Sequence, residues 1–463
     1  MDLMPRRAHL ASMVRLSLPI VTVQVGMMFM GVVDTMMVGR LSATDLAAVA
    51  LGNVYFYTIA VFGNGMLMAL DPIVAQAVGA DDAESVARGI QRGFVLTFFL
   101  ALIASLLFLP SGTVFAWLRQ PEDVVPVGAG YIFGSIPGML PFYAFVVLRQ
   151  SLQAMGRVAP VVWTIVAANL LNVFLNWVLI FGNLGFPQMG AVGSAWGSSV
   201  ARWFMAACLL ALSWRVVRPY LARVRRDAFD VFALGRMIRL GTPVGFQQQL
   251  EFGAFSLIGV MMGWLGTVTM AGHQVALNLA ALAFMVPLGI AGAAAVLVGR
   301  AVGREDMVEA RRAAGAGTLL GGGFMVVTAC VFLGAPGWLA RVYTADPGVL
   351  AVAVALLPIA GIFQVADGLQ AVAAGVLRGA GDTRSPFIFN ALGFWVFGIP
   401  VSAALAFGAD MGARGLWWGL AAGLGAVAIL LFIRVRRLLA RGVGRVVIDD
   451  PAASRAARPR RVA

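Results

Sequence analysis

The stretch Val74-Ala-Gln-Ala-Val-Gly79-Ala-Asp-Asp82 is matched 224 residues later by Val298-Gly-Arg-Ala-Val-Gly303-Arg-Glu-Asp306. The same register extends outward without a gap, from residues 16–88 to residues 240–312, and gives 15 identical pairs among 73. The identical pairs include proline, glycine and charged residues, which are rare or conformationally special in apolar stretches and seldom coincide through composition alone. The chain is therefore predicted to consist of two halves that arose by internal duplication.

The composition places the chain in a membrane. It is 60% apolar and 12% charged, with a mean hydropathy of +0.89, and a water-facing surface would need far more charge. The apolar stretches are long enough to cross a ~30 Å hydrocarbon core, and their continuity argues against an outer-membrane barrel. We predict an all-α integral membrane protein with twelve transmembrane helices, six per half, at residues 15–38, 46–70, 93–116, 126–148, 160–183, 190–214, 241–264, 270–299, 313–335, 348–376, 386–408 and 413–434.

The arginines predict the orientation, because the chain contains no lysine. With the N-terminus inside, 29 of the 34 basic residues fall on one side, four on the other and one, Arg202, within helix six. By the positive-inside rule both termini are cytoplasmic. The net charge of +13 then reflects topology and attraction to anionic membrane lipids, and no nucleic-acid partner is expected.

The duplication defines the domain organisation. A second block, residues 189–197, resembles residues 411–419 at an offset of 222. We predict an N-terminal six-helix bundle at 1–214, a cytoplasmic linker at 215–240, a C-terminal six-helix bundle at 241–434 and a basic cytoplasmic tail at 435–463. Residues 227–238 have an amphipathic pattern that predicts a short interfacial helix. Since each half has an even number of helices, the halves form a parallel repeat, with substrate between them and alternating access.

Three acids lie deep within predicted helices, where an ionised side chain costs about 2.5 to 3.5 kcal/mol at the bilayer centre. They are Asp34 in helix one, Glu251 in helix seven and Asp367 in helix ten. Acids that face lipid are nearly excluded, so each is predicted to face a cavity, with internal pairing to a polar neighbour or to Arg202 as the alternative. For Asp71, near the end of helix two, capping or snorkelling and a functional role both stay open.

Polar residues of the first half are predicted to surround Asp34. Asn172 and Asn176 are four residues apart on helix five and share a face, with Asn169 a turn earlier and Ser198 on helix six. Together with Asp34 they could form an oxygen-rich pocket for a proton or a small hard cation such as Na⁺. Interhelical hydrogen bonding is the alternative for each asparagine.

Glu251 and Asp367 would form a second pocket, and this pair is likewise a candidate for Na⁺. Further candidates for cavity or substrate contacts are Gln248, His273, Gln274, Asn278 and Phe363. A lone histidine near a helix end is more often a packing or hydrogen-bonding residue than a titrating relay. The sequence contains no phosphate-binding loop, no ladder of Cys and His and no nucleophile elbow, so we predict that the chain is not an enzyme and needs no cofactor.

With these residues the chain resembles the multidrug and toxic compound extrusion (MATE) family, in its bacterial NorM-like branch, over about residues 10–435. The resemblance rests jointly on seven motifs: Val33-Asp34-Thr-Met-Met-Val-Gly39-Arg40, Pro72-Ile-Val-Ala-Gln76-Ala-Val-Gly79-Ala, Asn172-Val-Phe-Leu-Asn176, Gly185-Phe-Pro-Gln-Met-Gly190, Gln249-Leu-Glu251, Ala271-Gly-His273-Gln274-Val-Ala and Leu377-Arg378-Gly-Ala-Gly381-Asp382-Thr383.

The resemblance implies a two-bundle antiporter of the bacterial cytoplasmic membrane that expels organic, mostly cationic compounds while Na⁺ or H⁺ enters. By position, Asp34, Asn172 and Asn176 match the family's amino-terminal cation site, and Glu251 and Asp367 match its carboxy-terminal acids. Phe363 departs from the pattern. Some similar members have a tyrosine there, so a phenolic oxygen sometimes assigned to cation binding is missing and the coupling ion stays open between Na⁺ and H⁺.

The buried acids suggest how such an exchange would work. A bound proton or Na⁺ cancels the charge that would attract a cationic drug, so ion entry displaces the drug. We expect small organic cations and drugs as partners, with the protein acting as a monomer.

A flippase for lipid-linked precursors, from the same wider superfamily, is the alternative function. Its phosphate-bearing cargo would favour intramembrane arginines, whereas the deep charges here are mainly acidic. A passive channel is a second rival, distinguished by transport without an ion gradient.

Overall fold

The computed structural model describes residues 4–449. The regular structure in this part of the chain is helical, and twelve long helical segments follow one another. They are α1 (Arg7–Val38), α2 (Ala43–Gly79), α3 (Ala83–Phe108), α4 (Val124–Ala154), α5 (Ala159–Phe181), α6 (Gly190–Leu221), α7 (Val231–Trp264), α8 (Thr267–Gly303), α9 (Met307–Gly334), α10 (Pro347–Gly379), α11 (Arg384–Gly408) and α12 (Gly412–Arg441).

Eleven of these segments in the described chain are long and apolar enough to cross a membrane. The remaining one, α7, is 34 residues long but carries three consecutive glutamines at 247–249 and Glu251, which lower its hydropathy. The prediction of an all-helical membrane protein is confirmed, and α7 occupies the position predicted for the seventh helix. Its polarity indicates a helix whose polar residues are sheltered from lipid.

The duplication is visible in how matched helices begin. Asp82 caps α3 by accepting a 2.9 Å hydrogen bond from the backbone N–H of Ser85, and Asp306 caps α9 by the same contact, also 2.9 Å long, with Glu309. The residue before each cap is left-handed, with φ of 54° at Asp81 and 60° at Glu305. Because these positions are 224 residues apart, the repeated sequence encodes the same helix start twice.

The chain forms two compact units. One comprises Thr22–Gly245, and the other combines the chain up to Val21 with the chain from Phe246 onward. In the first unit, a Cβ on Gly65 would lie 2.7 Å from Cα of Gly245; in the second, a Cβ on Gly289 would lie 2.9 Å from the backbone nitrogen of Val21. In the 224-residue register, Gly65 is equivalent to Gly289 and Val21 is equivalent to Gly245. The unit boundaries fall within α1, after Val21, and within α7, after Gly245, so each unit contains the start of a helix that continues in the other unit. The predicted bundle boundaries at 214, 240 and 434 follow the repeat and stay a prediction.

Two segments differ from the sequence prediction. Residues 227–238 do not form a separate interfacial helix: a 3₁₀ turn at Arg226–Phe229 is followed by α7, which begins at Val231. The prediction was wrong because the amphipathic pattern runs directly into the apolar part of the helix, where nothing ends it. At the other end, α12 extends to Arg441, beyond the predicted limit at 434. Residues 450–463 of the predicted tail lie outside the described residues.

Candidate functional site

Four side chains of the first unit form a closed ring of hydrogen bonds around Asp34. Asn176 Nδ2 donates to Asp34 Oδ1 at 2.5 Å, and Ser198 Oγ donates to Asp34 Oδ2 at 2.7 Å. Asn172 completes the ring, since its Oδ1 accepts from Asn176 Nδ2 at 3.3 Å and its Nδ2 donates to Ser198 Oγ at 3.5 Å. All four residues are buried. The structure thus brings together the residues that the sequence placed near Asp34 on α1, α5 and α6.

One side-chain oxygen of the ring accepts no hydrogen bond within the described part of the chain. The Oδ1 atom of Asn176 is buried and accepts no hydrogen bond from the described residues. Gly197 makes room for this oxygen, because a Cβ there would lie 3.0 Å from it. The described residues contain no cluster of three or more His, Cys, Asp or Glu side chains suited to a metal. A single carboxylate with neutral amide and hydroxyl oxygens instead suits a proton or a monovalent hard cation.

Two further residues near the ring have separate contacts. Asn169 donates to the backbone oxygens of Gly26 at 3.0 Å and Ile165 at 2.9 Å, so it is an interhelical hydrogen-bonding residue and not a member of the ring. Arg202, one turn after Ser198 on α6, interacts electrostatically with Asp34. Its guanidinium carbon lies 4.3 Å from the ring centroid of Phe56, in cation–π geometry, and its Nη1 has no hydrogen-bond partner among the described residues.

In the second unit, Asp367 and Glu251 are close enough to interact electrostatically. Asp367 is buried, and its Oδ1 has no hydrogen-bond partner among the described residues. Glu251 on α7 is half-buried. Two acids that share an apolar surrounding repel one another when both are ionised.

Aromatic rings pack together beside the helix turns that carry this second acid pair. Phe363, one turn before Asp367 on α10, lies edge-on to Trp417 with ring centroids 5.5 Å apart, and to Phe255 at 6.0 Å. The Trp417 indole N–H donates to His273 Nδ1 at 3.2 Å. This bond leaves the hydrogen of a neutral imidazole on Nε2, an atom that is buried without a partner among the described residues. His273 is therefore fixed in the aromatic packing, with one donor unused.

The remaining predicted contacts are less enclosed. Gln274 is exposed, and Gln248 and Asn278 are half-buried. Asp71, which the sequence left open, is buried where α2 is interrupted between Leu67 and Leu70, and it interacts electrostatically with Arg149.

Several buried polar residues were missed by the sequence analysis. Gln364 is fully buried next to Phe363 and donates to the backbone oxygen of Ala280 at 2.9 Å, while its own Oε1 has no donor among the described residues. Gln370 Nε2 donates to Asn390 Oδ1 at 3.2 Å, just before a π-helical stretch of α11 at Ala391–Gly398. The signal that could have found them is their polarity within otherwise apolar helices.

Comparisons with known proteins agree with this architecture. A family model described as MatE matches residues 19–178 and 243–404, two blocks that begin 224 residues apart. The probable multidrug resistance protein NorM of Rhizobium meliloti (strain 1021) is 35% identical over 457 residues, covering 96% of each chain. The multidrug resistance protein NorM of Burkholderia vietnamiensis is 35% identical over 435 residues, covering 91% of this chain and 93% of the relative.

Solved structures share the fold. The eukaryotic MATE transporter AtDTX14 superposes with a TM-score of 0.85 at 23% identity, covering 94% of this chain and 98% of that one. The outward-facing conformation of a multidrug resistance MATE family transporter gives a TM-score of 0.86 at 19% identity, covering 94% and 96%.

An all-helical, duplicated, multi-pass membrane protein that encloses acids in both units has the architecture of a transporter, and the proteins it matches are named as transporters or multidrug resistance proteins and not as enzymes. The family match and the relatives at 35% identity make the assignment specific. The chain belongs to the MATE family, and it is similar to bacterial NorM proteins over nearly its whole length.

Proposed function

We propose that this transporter is a secondary active multidrug antiporter, which exports organic, mainly cationic compounds in exchange for Na⁺ or H⁺. It works by alternating access between its two halves, without a cofactor and as a monomer. It lies in the bacterial cytoplasmic membrane with both termini in the cytoplasm, as the arginine distribution predicts. The names of the NorM relatives, which are multidrug resistance proteins, support the export of drugs.

The observation that carries the proposal is the hydrogen-bonded ring around Asp34. Its carboxylate is held by donors from Asn176 and Ser198, and the spare Oδ1 of Asn176 lies in the same enclosed group. A proton or a small cation bound there would neutralise Asp34 and remove its attraction for an organic cation. Asp367 with Glu251 would offer a second carboxylate site of the same kind in the other unit. Occupancy by the ion and occupancy by the drug then exclude one another.

The energy for export would come from the ion gradient and the membrane potential. Inward movement of one positive charge is favoured by about 2.3 kcal/mol per 100 mV. This amount corresponds to a concentration ratio of about 50-fold for each charge moved per transport cycle.

Transport by the purified protein in proteoliposomes tests the proposal. Efflux of a fluorescent organic cation should require an imposed Na⁺ gradient or pH gradient, and running the two separately identifies the coupling ion. Asp34→Asn should abolish this dependence, and Asp367→Asn should weaken it. Asp346→Asn is the matched control, because Asp346 caps the start of α10 by accepting from the backbone N–H of Val349 and lies on the surface.

Three results would contradict the proposal. Cation movement at full rate without any gradient would indicate a channel. Gradient-driven efflux that is unchanged in the Asp34→Asn/Asp367→Asn double variant would remove the acids from the mechanism. Movement of a phosphate-bearing lipid precursor, with no movement of organic cations, would identify the alternative function of a flippase.

A further inference from the structure

The connection that follows α6 is fastened to α3 by two buried side chains. Gln91 Nε2 donates to the backbone oxygens of Tyr220 at 2.7 Å and Arg223 at 2.9 Å, and its Oε1 accepts from the backbone N–H of Arg225 at 2.9 Å. Arg92 Nη2 donates to the backbone oxygen of Asp227 at 2.9 Å. Because Gln91 and Arg92 are buried, this part of the connection has a defined conformation and can shape a binding surface.

An apolar groove lies beside this fastened connection. It has a volume of about 500 Å³. Its lining residues come from α3, from the end of α6 and from the connection, and they include Phe94, Phe98, Phe99, Leu221, Val224 and Phe229. Four of the six are exposed in the structure, with Val224 at 76% and Phe229 at 59%. Exposed apolar side chains on a membrane helix face lipid acyl chains, and a concave surface lined by them has room for one such chain.

A second pocket of about 450 Å³ lies against the same connection, with Glu84, Tyr220, Arg223 and Arg225 in its lining. Arg225 is already engaged by Glu84 at 3.1 Å. Arg223 and Arg226, three residues apart on the connection, are both exposed. No acid among the described residues forms an ion pair with either arginine. The connection therefore carries two arginines without an ion-pair partner in the described chain: Arg223 lines the second pocket, and Arg226 lies in the sequence between Val224 and Phe229 of the groove.

The dimensions fit an amphipathic ligand. Glu84 in the first turn of α3 and Phe98 are fourteen residues apart, which corresponds to about 21 Å along a helix. The stretch runs from the charged start of α3 into the part that the hydropathy assigns to the bilayer, beginning at residue 93. A ligand that follows it would have an anionic group at the membrane boundary and an apolar chain beside the phenylalanines.

We infer that the groove and these two arginines of the connection form a binding site for one anionic phospholipid. Its phosphate would lie between Arg223 and Arg226, and an acyl chain would lie along Phe98 and Phe229. Basic pockets beside transmembrane helices on the cytoplasmic side bind acidic head groups in this way. The ligand differs from the transported drugs, and the site is separate from the ring around Asp34, so the inference does not depend on the proposed antiport.

Native mass spectrometry of the full-length protein in detergent tests the inference. The protein is titrated with phosphatidylglycerol and, separately, with phosphatidylcholine, and the dissociation constant of the first bound lipid is measured. The wild type should bind phosphatidylglycerol more tightly. Arg223→Gln/Arg226→Gln should weaken this binding about 25-fold, since an arginine near an anionic lipid contributes about fivefold, and should leave phosphatidylcholine binding unchanged. Phe98→Ala/Phe229→Ala should weaken the binding of both lipids.

Arg436→Gln/Arg437→Gln is the matched control, because it removes two exposed arginines from the end of α12 and should change the affinity less than twofold. Asp34→Asn should also leave lipid binding as in the wild type, which separates this site from transport. An equal loss of phosphatidylglycerol affinity in Arg436→Gln/Arg437→Gln would show that the effect depends on the net charge of the protein and not on this site. Unchanged phosphatidylglycerol binding in Arg223→Gln/Arg226→Gln, or equal affinity of the wild type for the two lipids, would overturn the inference.

Discussion

The Ser198 hydroxyl donates a 2.7 Å hydrogen bond to Oδ2 of Asp34. Its neighbour Ser199 is equally buried but donates at 2.6 Å to the backbone oxygen of Gly134, away from the carboxylate. Two adjacent, buried serines on α6 thus differ in whether the hydroxyl belongs to the ring around the acid. This difference separates a role in ion binding from a role in helix packing.

We expect Ser198→Ala to raise the coupling-ion concentration for half-maximal efflux about tenfold. A hydrogen bond to a charged group contributes about 1.5 to 3 kcal/mol, and the alanine also removes one oxygen from the ring. The measurement is the rate of dye efflux from proteoliposomes as the Na⁺ concentration or the proton concentration is varied. Ser199→Ala should lower the melting temperature slightly without changing this concentration. The hypothesis of an ion site fails if both serine variants shift it equally.

A second prediction concerns Arg202, whose guanidinium lies over Phe56 and interacts with Asp34. This fixed positive charge repels an organic cation that approaches Asp34. Arg202→Gln should therefore tighten binding of a fluorescent cation about fivefold to tenfold, since two unit charges about 4 Å apart interact by ~1 kcal/mol even in bulk water. Binding of a neutral dye of similar size, followed by the same fluorescence titration, should not change. Weaker cation binding in Arg202→Gln would mean that the arginine positions Asp34 for the substrate instead.

The sequence predicted the twelve helices and the ring for the same physical reason. Polar groups are costly in hydrocarbon, so apolar stretches of the right length mark the helices, and the few polar residues within them must find one another. Asp34, Asn172, Asn176 and Ser198 satisfy this requirement together. Asn169 obeys the same rule but uses backbone oxygens, which residue type alone cannot distinguish from membership of the ring.

Other features depend on packing between segments far apart in sequence. The start of α1 belongs to the unit that contains Gly289, and the start of α7 to the unit that contains Gly65. Hydropathy reports where a helix crosses the membrane but not which helices it packs against. Likewise, Gln370 and Asn390 form a pair because α10 and α11 meet beside a π-helical stretch. No local pattern in the sequence encodes that meeting.

The third prediction concerns Phe363, one turn before Asp367. Phe363→Tyr adds a phenolic oxygen that is able to bind a cation beside the acid, so we expect the Na⁺ concentration for half-maximal efflux to fall about fivefold, the value of one additional polar contact of ~1 kcal/mol. Phe394→Tyr is the control, because Phe394 is buried in the same aromatic group and contacts Phe255 from α11. That variant should be less stable without a change in Na⁺ dependence. An unchanged Na⁺ dependence in Phe363→Tyr would separate position 363 from the coupling ion.

The last prediction tests how α8 and α10 pack. A Cβ on Gly375 would lie 2.3 Å from the backbone oxygen of Ala291, and a Cβ on Gly379 would lie 2.3 Å from that of Ala295. Small residues four apart allow two helices to approach this closely in a membrane. Gly375→Ala should therefore force the helices apart and cost about 1 to 3 kcal/mol, which appears as a lower melting temperature in detergent.

The matched control for Gly375→Ala is Gly323→Ala on α9, where a Cβ would meet no atom within 4 Å. Alanine is favoured over glycine within a helix by ~1 kcal/mol, so this variant should melt at the same temperature as the wild type or slightly higher. The two alanines thus change stability in opposite directions for one reason, the presence or absence of a facing backbone oxygen. Equal melting temperatures for the two variants would show that the interface between α8 and α10 can accommodate an added methyl group. Gly375 would then not determine the distance between the two helices.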